Sequence, residues 1–355
     1  MKVDYLIVGA GLAGIAFAQF CRQNNKTFIV ISDESQNSSR IAGGLYNPVV
    51  LKRFSAVWQA QEQLDLAVPF YKQLESDLLT TVDFPLPLFR IFHSIEEQNN
   101  WFTAADKPNL TPFLSTTLLQ TKISNINAPL GFGHVLHCGY VDTTTLVNEY
   151  IKLLESNQQF RSKRLDYSQL QIREKDVTYG EIQAQHIIFA EGFGVQQNPF
   201  FNYLPLDGTK GELLLIKAPN LKLKQIIKSG VFVLPVGEDL YKVGATYNWE
   251  DKTAIQTQEA RKELLEDLDS FLQCDYEVIE HYAGVRPTVK DRRPLVGTHP
   301  DFDRLHVLNG LGTRGVMLGP AMAKALFEHI EKGTPLDPYI DIKRVKNVPS
   351  NPYRN

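Results

Sequence analysis

Gly9, Gly11 and Gly14 stand in the stretch Gly9-Ala10-Gly11-Leu12-Ala13-Gly14, directly after an apolar run of Val3, Tyr5, Leu6, Ile7 and Val8. Glycines at this spacing suit a turn that holds a pyrophosphate. Gly9 can leave a strand sharply, Gly11 lets the backbone approach the phosphates, and Gly14 lets a following helix pack close to the strand. Helical spacing follows at Leu12, Ile15, Ala16, Phe17, Phe20 and Cys21, and residues 26–31 form a second apolar run. The order is strand, turn, helix, strand. The helix would turn its free N–H groups and its partial positive charge toward the phosphates. Gly9, Ala10, Gly11, Leu12, Ala13 and Gly14 are therefore candidate dinucleotide ligands. An acid at the end of the second strand would take a ribose hydroxyl. The usual position, counted from Gly9, holds Ser32, and Asp33 comes one later, so both are candidates.

The elements that must position such a turn need a sizeable core, and 355 residues with 43% hydrophobic and 22% charged content allow two domains or one large interleaved one. The net charge of −3 argues against a dedicated nucleic-acid binder, and the small basic set Lys343, Arg344, Lys346 and Arg354 is too slight to reverse that. Cys21, Cys138 and Cys274 have no metal-like spacing and read as reduced cytosolic thiols. The N-terminus carries one lysine and then an acid, which is not a signal-peptide pattern, and no apolar stretch is long enough to span a bilayer. The expectation is a soluble, cytoplasmic protein with no membrane partner.

Residues 37–52 read as an ordered loop in which Gly43-Gly44 lets the backbone lie against something flat or crowded. Residues 58–78 have helical spacing with Pro69 as a kink, and residues 84–93 suggest a strand of a second layer. Residues 134–142 read as a strand running into a turn, 143–157 as an amphipathic helix, and 159–165 and 169–177 as short strands. Residues 184–190 read as a buried strand that returns to the nucleotide-binding sheet and ends in Ala190-Glu191-Gly192. Residues 208–216, 232–235, 240–246 and 277–287 read as antiparallel strands, 257–272 as a helix, 305–308 as a last strand and 319–331 as a last helix.

Read in order, these segments resemble a family. Gly-x-Gly-x-x-Gly is followed by SSRIAGGLYNP, the Ala190-Glu191-Gly192 strand end, GELLLI, KVGATY, AGVRPTVKDRRPLVG and NGLGTRGVMLGPAMAKAL. This set resembles the D-amino-acid oxidase/glycine oxidase superfamily of FAD-dependent oxidoreductases and covers nearly the whole chain. The resemblance implies an α/β (α+β) architecture: a Rossmann-like FAD-binding domain interleaved with an antiparallel-sheet substrate domain. The expected division assigns residues 1–45, 131–204 and 286–333 to the first, 46–130 and 205–285 to the second, and 334–355 to an irregular tail.

The resemblance also implies site residues. Non-covalent FAD would lie along Ser39, Arg40, Ala42, Gly43, Gly44 and Leu45, beside Ala190, Glu191 and Gly192. Gly310, Leu311, Gly312, Thr313, Arg314 and Gly315 would sit near the C2 carbonyl of the flavin, where the helix N-terminus stabilises negative charge. Arg286, in the Gly-x-Arg-Pro motif, would bind a substrate carboxylate, for which a planar bidentate guanidinium is suited. Arg314 is a weaker candidate for the same site. Lys242 would lie by the flavin and help oxygen react. Tyr247, Tyr46 and Asn47 would line the pocket, and His281 is a lesser catalytic candidate. No metal is implied.

The expected activity is oxidation of a C–N bond of a small amino acid or secondary amine, by hydride transfer to FAD, with oxygen or another electron acceptor. Three alternatives stay open. The first is a tRNA wobble-uridine carboxymethylaminomethyl oxidase, suggested by the likeness of residues 309–315 to the turn in that bacterial enzyme. The others are hydroxy-acid oxidation and a non-catalytic flavoprotein.

Overall fold

The first apolar run forms the strand Lys2–Val8. It lies between two parallel neighbours, Phe28–Ser32 (Tyr5 opposite Phe28) and Ile182–Phe189 (Val3 opposite Ala184). A central strand is covered on both faces, so its residues are apolar without alternation. Tyr5 and Ile7 join a core with Phe17 of the helix Leu12–Gln23 and Phe327 of the helix Gly315–Lys332. Leu6 and Val8 point the other way, toward Ile31, Phe189, Phe201 and Leu204. The computed structural model describes residues 1–33 and 35–345. Lys346 and Arg354 of the basic set lie outside the described residues.

Among the described residues, eight strands make this sheet. Phe160–Ser162 adds to Phe28–Ser32 at one edge. At the other, Ile182–Phe189 pairs antiparallel with Val177–Tyr179 along its first half and parallel with Leu305–Asn309 along its second. A separate sheet of seven strands runs in the order Glu277–Arg286, Thr209–Lys217, Leu240–Gly244, Phe232–Gly237, Ile226–Lys228, Leu88–Ile91 and Phe132–Val135. Its pairings are antiparallel except that of Ile226–Lys228 with Leu88–Ile91. The helix Gln258–Asp269 covers one face through Leu264 and Leu268, which pack with Leu214, Ile216 and Val243.

Several details depart from expectation. Residues 132–135, grouped above with the nucleotide-binding unit, pair with Leu88–Ile91 in the seven-stranded sheet. The helix Ala60–Leu78, grouped with the substrate unit, packs on Gly315–Lys332, and Tyr71 Oη donates to the Val316 carbonyl at 2.8 Å. This bond has a local cause: Pro320 lacks the N–H that would have taken that carbonyl in the helix. The last helix begins at Gly315 rather than 319 and carries Pro320 inside it. The helix Ile95–Ala105 was missed, although Ser94 and Glu97 mark its start and the Ser94 hydroxyl accepts from Glu97 N–H at 3.0 Å. The loop at 37–52 contains a short helix, Ser38–Ile41. The tail is not wholly irregular: Val296 N–H donates to the Ile340 carbonyl at 3.0 Å, and Ile342–Arg344 forms a 3₁₀ turn. Among the described residues, no helix is long and apolar enough to cross a membrane.

Candidate active site

A cleft of about 2100 Å³ is lined by residues of both sheets. Residues of the glycine turn from Gly9 to Ala13 line it, as do Ser32, Asp33, Ser39, Arg40, Ala42, Gly43, Gly44 and Leu45. Gly14 does not line it. A Cβ on Gly14 would stand 1.9 Å from the Gly9 carbonyl oxygen, so this glycine serves the contact between helix and turn. Gly9 itself has φ of +107°, a conformation that favours glycine. The Ser32 hydroxyl accepts from Ala10 N–H at 3.2 Å, and the Ser39 hydroxyl accepts from Leu12 N–H at 3.2 Å. Ser32 thus braces the turn. The Asp33 carboxylate accepts through Oδ1 from the amide and hydroxyl of Ser35.

These residues fit a dinucleotide. The N-cap residue of the helix Leu12–Gln23, Gly11, offers no side-chain cap, and Ser39 takes only the Leu12 N–H, so the other N–H groups of that end suit an anion. Gly11 lines the cleft, and a Cβ there would stand 2.9 Å from the Ser39 hydroxyl oxygen, so the close approach needs glycine. An acid stands at the end of the second strand, at the cleft wall.

Further along, Ala190, Glu191 and Gly192 meet the turn 310–315. Asn309 Nδ2 donates to the Gly192 carbonyl at 2.8 Å, and Asn309 Oδ1 accepts from Gly310 N–H at 2.8 Å. Glu191 accepts from Tyr167 Oη and Asn198 Nδ2. Burial pushes its carboxyl up to about 7, against the opposing pull of those two hydrogen bonds. Gly310, Leu311, Gly312, Thr313, Arg314 and Gly315 all line the cleft.

Arg286 ends the strand Glu277–Arg286 and faces the cleft. Its Cζ lies 4.7 Å from the centroid of the Tyr247 ring, and its Nη1 donates to the carbonyls of Lys210 at 3.3 Å and Thr246 at 3.2 Å. Gly211 makes room for it: a Cβ there would stand 1.9 Å from Nη2. Arg314 Nη1 donates to the Asn47 carbonyl at 2.8 Å. Burial lowers the pKa of both guanidiniums, and Arg292 adds repulsion.

Three of the expected pocket residues lie elsewhere. Lys242 does not line the cleft; its ammonium donates to the Ala42 carbonyl at 3.3 Å, behind the Ser39–Leu45 loop, and burial lowers its pKa. Tyr46 is buried, with its ring against Gly139, because its strand pairs with Gly139–Val141. His281 lies outside the cleft lining and pairs with the buried Glu212 at 2.9 Å. Asn47 does line the cleft.

Sequence reasoning missed Arg292, Arg293, Trp58 and Trp249, which also line it. Arg292 stands 5.0 Å from the Trp249 ring centroid and Arg293 5.1 Å from that of Trp58. The adjacent pair Arg292-Arg293 was the available signal. The partner tryptophans lie far away in sequence. Lys228, another lining residue, was missed; burial and the nearby Arg90 push its ammonium down to about 8.

The comparisons with known proteins agree with this architecture. The family model described as "FAD dependent oxidoreductase" (DAO) matches residues 4–329. A glycine oxidase of Pseudomonas aeruginosa is 23% identical over 356 residues, with 95% of this chain and 97% of that protein covered. The bifunctional tRNA 5-methylaminomethyl-2-thiouridine biosynthesis protein MnmC of Legionella pneumophila is 26% identical over 320 residues; the match covers 83% of this chain and spans only 46% of that protein. The crystal structure of iminodiacetate oxidase from Chelativorans sp. BNC1 shares the fold, with a TM-score of 0.78, 17% identity, and 95% and 98% of the two chains covered. With the helix N-terminus, the glycine turn and the two-sheet cleft, the match along most of its length makes this chain a member of the DAO family of FAD-dependent oxidoreductases.

Proposed function

We propose that this enzyme oxidises the C–N bond of a small carboxylate-bearing amine, an amino acid or secondary amine. The observation that carries the reading is Arg286: a guanidinium held on the face of Tyr247 and on two backbone carbonyls, at the cleft wall. FAD, when bound, supplies the hydride acceptor. The chain's own contribution is orientation and electrostatics. Arg286 would hold the carboxylate through paired N–H donors, so that the α-carbon has one orientation. The turn 310–315 and the N-terminus of Gly315–Lys332 would set a positive potential where negative charge develops. Asp33 would take the ribose hydroxyl, since Ser32 is committed to Ala10. Among the described residues no histidine lines the cleft, so the amine would lose its proton to solvent rather than to an imidazole.

A second reading has its own observation. The Arg292–Trp249 and Arg293–Trp58 pairs line the cleft, and Trp249 and Tyr247 are 37% and 55% exposed. Aromatic and guanidinium faces of this kind stack on unpaired bases. They would serve a wobble-uridine side chain presented by a tRNA, as the partial likeness to the tRNA-modifying protein suggests.

The test is the visible spectrum of the purified holoenzyme without oxygen, on addition of amino acids, N-methyl amino acids and 2-hydroxy acids. Bleaching of the flavin bands by an amine supports the first reading. Bleaching by hydroxy acids alone moves the broken bond to C–O. Bleaching only by a tRNA carrying the carboxymethylaminomethyl group selects the second reading.

A further inference from the structure

Arg286 and Arg314 reach the same cleft from different elements, one at the end of a strand and one just before the last helix. Gly312 N–H donates to the Pro287 carbonyl at 2.9 Å and joins the two turns. Each guanidinium is anchored through Nη1 alone. That of Arg286 takes the carbonyls of Lys210 and Thr246, and that of Arg314 takes the carbonyl of Asn47. Among the described residues, Nε and Nη2 of either arginine have no protein acceptor, and neither arginine has a carboxylate within ion-pair distance. Both feel the charge of Arg292 as well.

Three acids of the cleft wall are engaged elsewhere. Asp291, from the same segment as Arg286, pairs with Arg344 at 2.6 Å. Glu191 is taken by Tyr167 and Asn198, and Asp33 by Ser35. Each is a partly desolvated cation with no counter-charge of its own, and a single carboxylate neutralises only one of them. Both free edges have the parallel donors that a carboxylate accepts from.

We propose that the substrate is an amine bearing two acidic groups, one held by the Nε–Nη2 edge of Arg286 and the other by that of Arg314. This rests on the reading of Arg286 as the carboxylate site and makes Arg314 the residue that sets substrate class. FAD, when bound, would take the hydride as the α-C–H bond breaks. The nitrogen lone pair forms C=N, and the nitrogen releases its proton. Water then adds, and the C–N bond cleaves to an oxo acid and a free amine.

Iminodiacetate and sarcosine make a matched pair, since they differ only by the second carboxylate. The holoenzyme should favour iminodiacetate in kcat/KM by about tenfold or more, the scale of one charge-assisted pair. Arg314→Met should bring that ratio close to one, and Arg314→Lys should restore part of it. A binding readout needs no turnover: malonate, succinate or glutarate should perturb the flavin spectrum at lower concentration than acetate, and Arg314→Met should remove the difference. Equal constants for the two amines, or a ratio that Arg314→Met leaves intact, overturns the proposal. If no amine bleaches the flavin yet a dicarboxylate is still preferred through Arg314, the amine chemistry falls and the two-acid site stands. Bleaching by amines with no dicarboxylate preference does the reverse.

Discussion

The amide of Gly312 donates to the carbonyl of Pro287 at 2.9 Å, so the turn before the last helix is tied to the residue that follows Arg286. One hydrogen bond thus couples the two arginine-bearing segments, although Arg286 belongs to the seven-stranded sheet and Arg314 to the turn before the helix packed on the eight-stranded one. The cleft is a product of that junction.

Gly211→Ala should damage substrate binding and leave the fold intact. The added Cβ would stand about where the Arg286 guanidinium lies, at 1.9 Å from Nη2, and the free end of that side chain is what must move. The Michaelis constant for a carboxylate-bearing amine should rise by about tenfold or more, with FAD content and Tm near those of the parent. An unchanged constant would remove Arg286 from the carboxylate site.

Gly14→Ala should act on the cofactor and on stability together. Its Cβ would meet the Gly9 carbonyl oxygen at 1.9 Å, and backbone cannot swing aside as a side chain can. We expect a loss of about 2 kcal/mol or more, with FAD lost on gel filtration. Full FAD retention at parental Tm would show that the turn does not need this close approach.

Tyr71→Phe should leave the Val316 carbonyl without its donor, because Pro320 has no N–H to offer. The cost should be about 1–3 kcal/mol in urea unfolding. A variant as stable as the parent would mean that water replaces the phenol.

Glu191→Gln should change how stability depends on pH. The carboxyl is pushed up in the fold to about 7 from an ordinary 4.5, chiefly by burial. The folded state therefore holds the proton more tightly than the unfolded chain. Its contribution is complete below about pH 4.5 and is lost as pH rises toward 7, by up to about 3 kcal/mol for a shift of this size. The amide keeps an acceptor for Asn198 and does not ionise, so the variant should gain on the parent between pH 5 and pH 8. Unfolding curves that stay parallel across that range would rule this out.

Lys242→Met tests a residue that stands against the Ser39–Leu45 loop. Its ammonium reaches the Ala42 carbonyl and not the cleft. Stopped-flow reoxidation by oxygen should slow while anaerobic reduction keeps its rate. Equal reoxidation in both proteins would reduce Lys242 to a support for the loop.

Local chemistry in the sequence determined much of this protein. The Gly9–Gly14 turn, the apolar strands on either side of it and the Asn309–Gly315 turn before a helix are each written in contiguous residues, because a turn conformation and a buried strand depend on near neighbours. Arg286 was legible through its motif, and the Ser94–Glu97 cap was present in the sequence though missed.

Tertiary structure decided which of the candidate side chains meet. Lys242 and Tyr46 have the right types for a flavin site, yet strand register turns Tyr46 onto Gly139, and the Ala42 carbonyl holds the Lys242 ammonium. Arg292 and Arg293 gained their meaning only from Trp249 and Trp58, which no local pattern brings beside them. That Arg286 and Arg314 share one cleft without a carboxylate for either was also beyond the sequence. It depends on two sheets being packed so that strand end and helix start converge, a long-range arrangement that spacing along the chain does not encode.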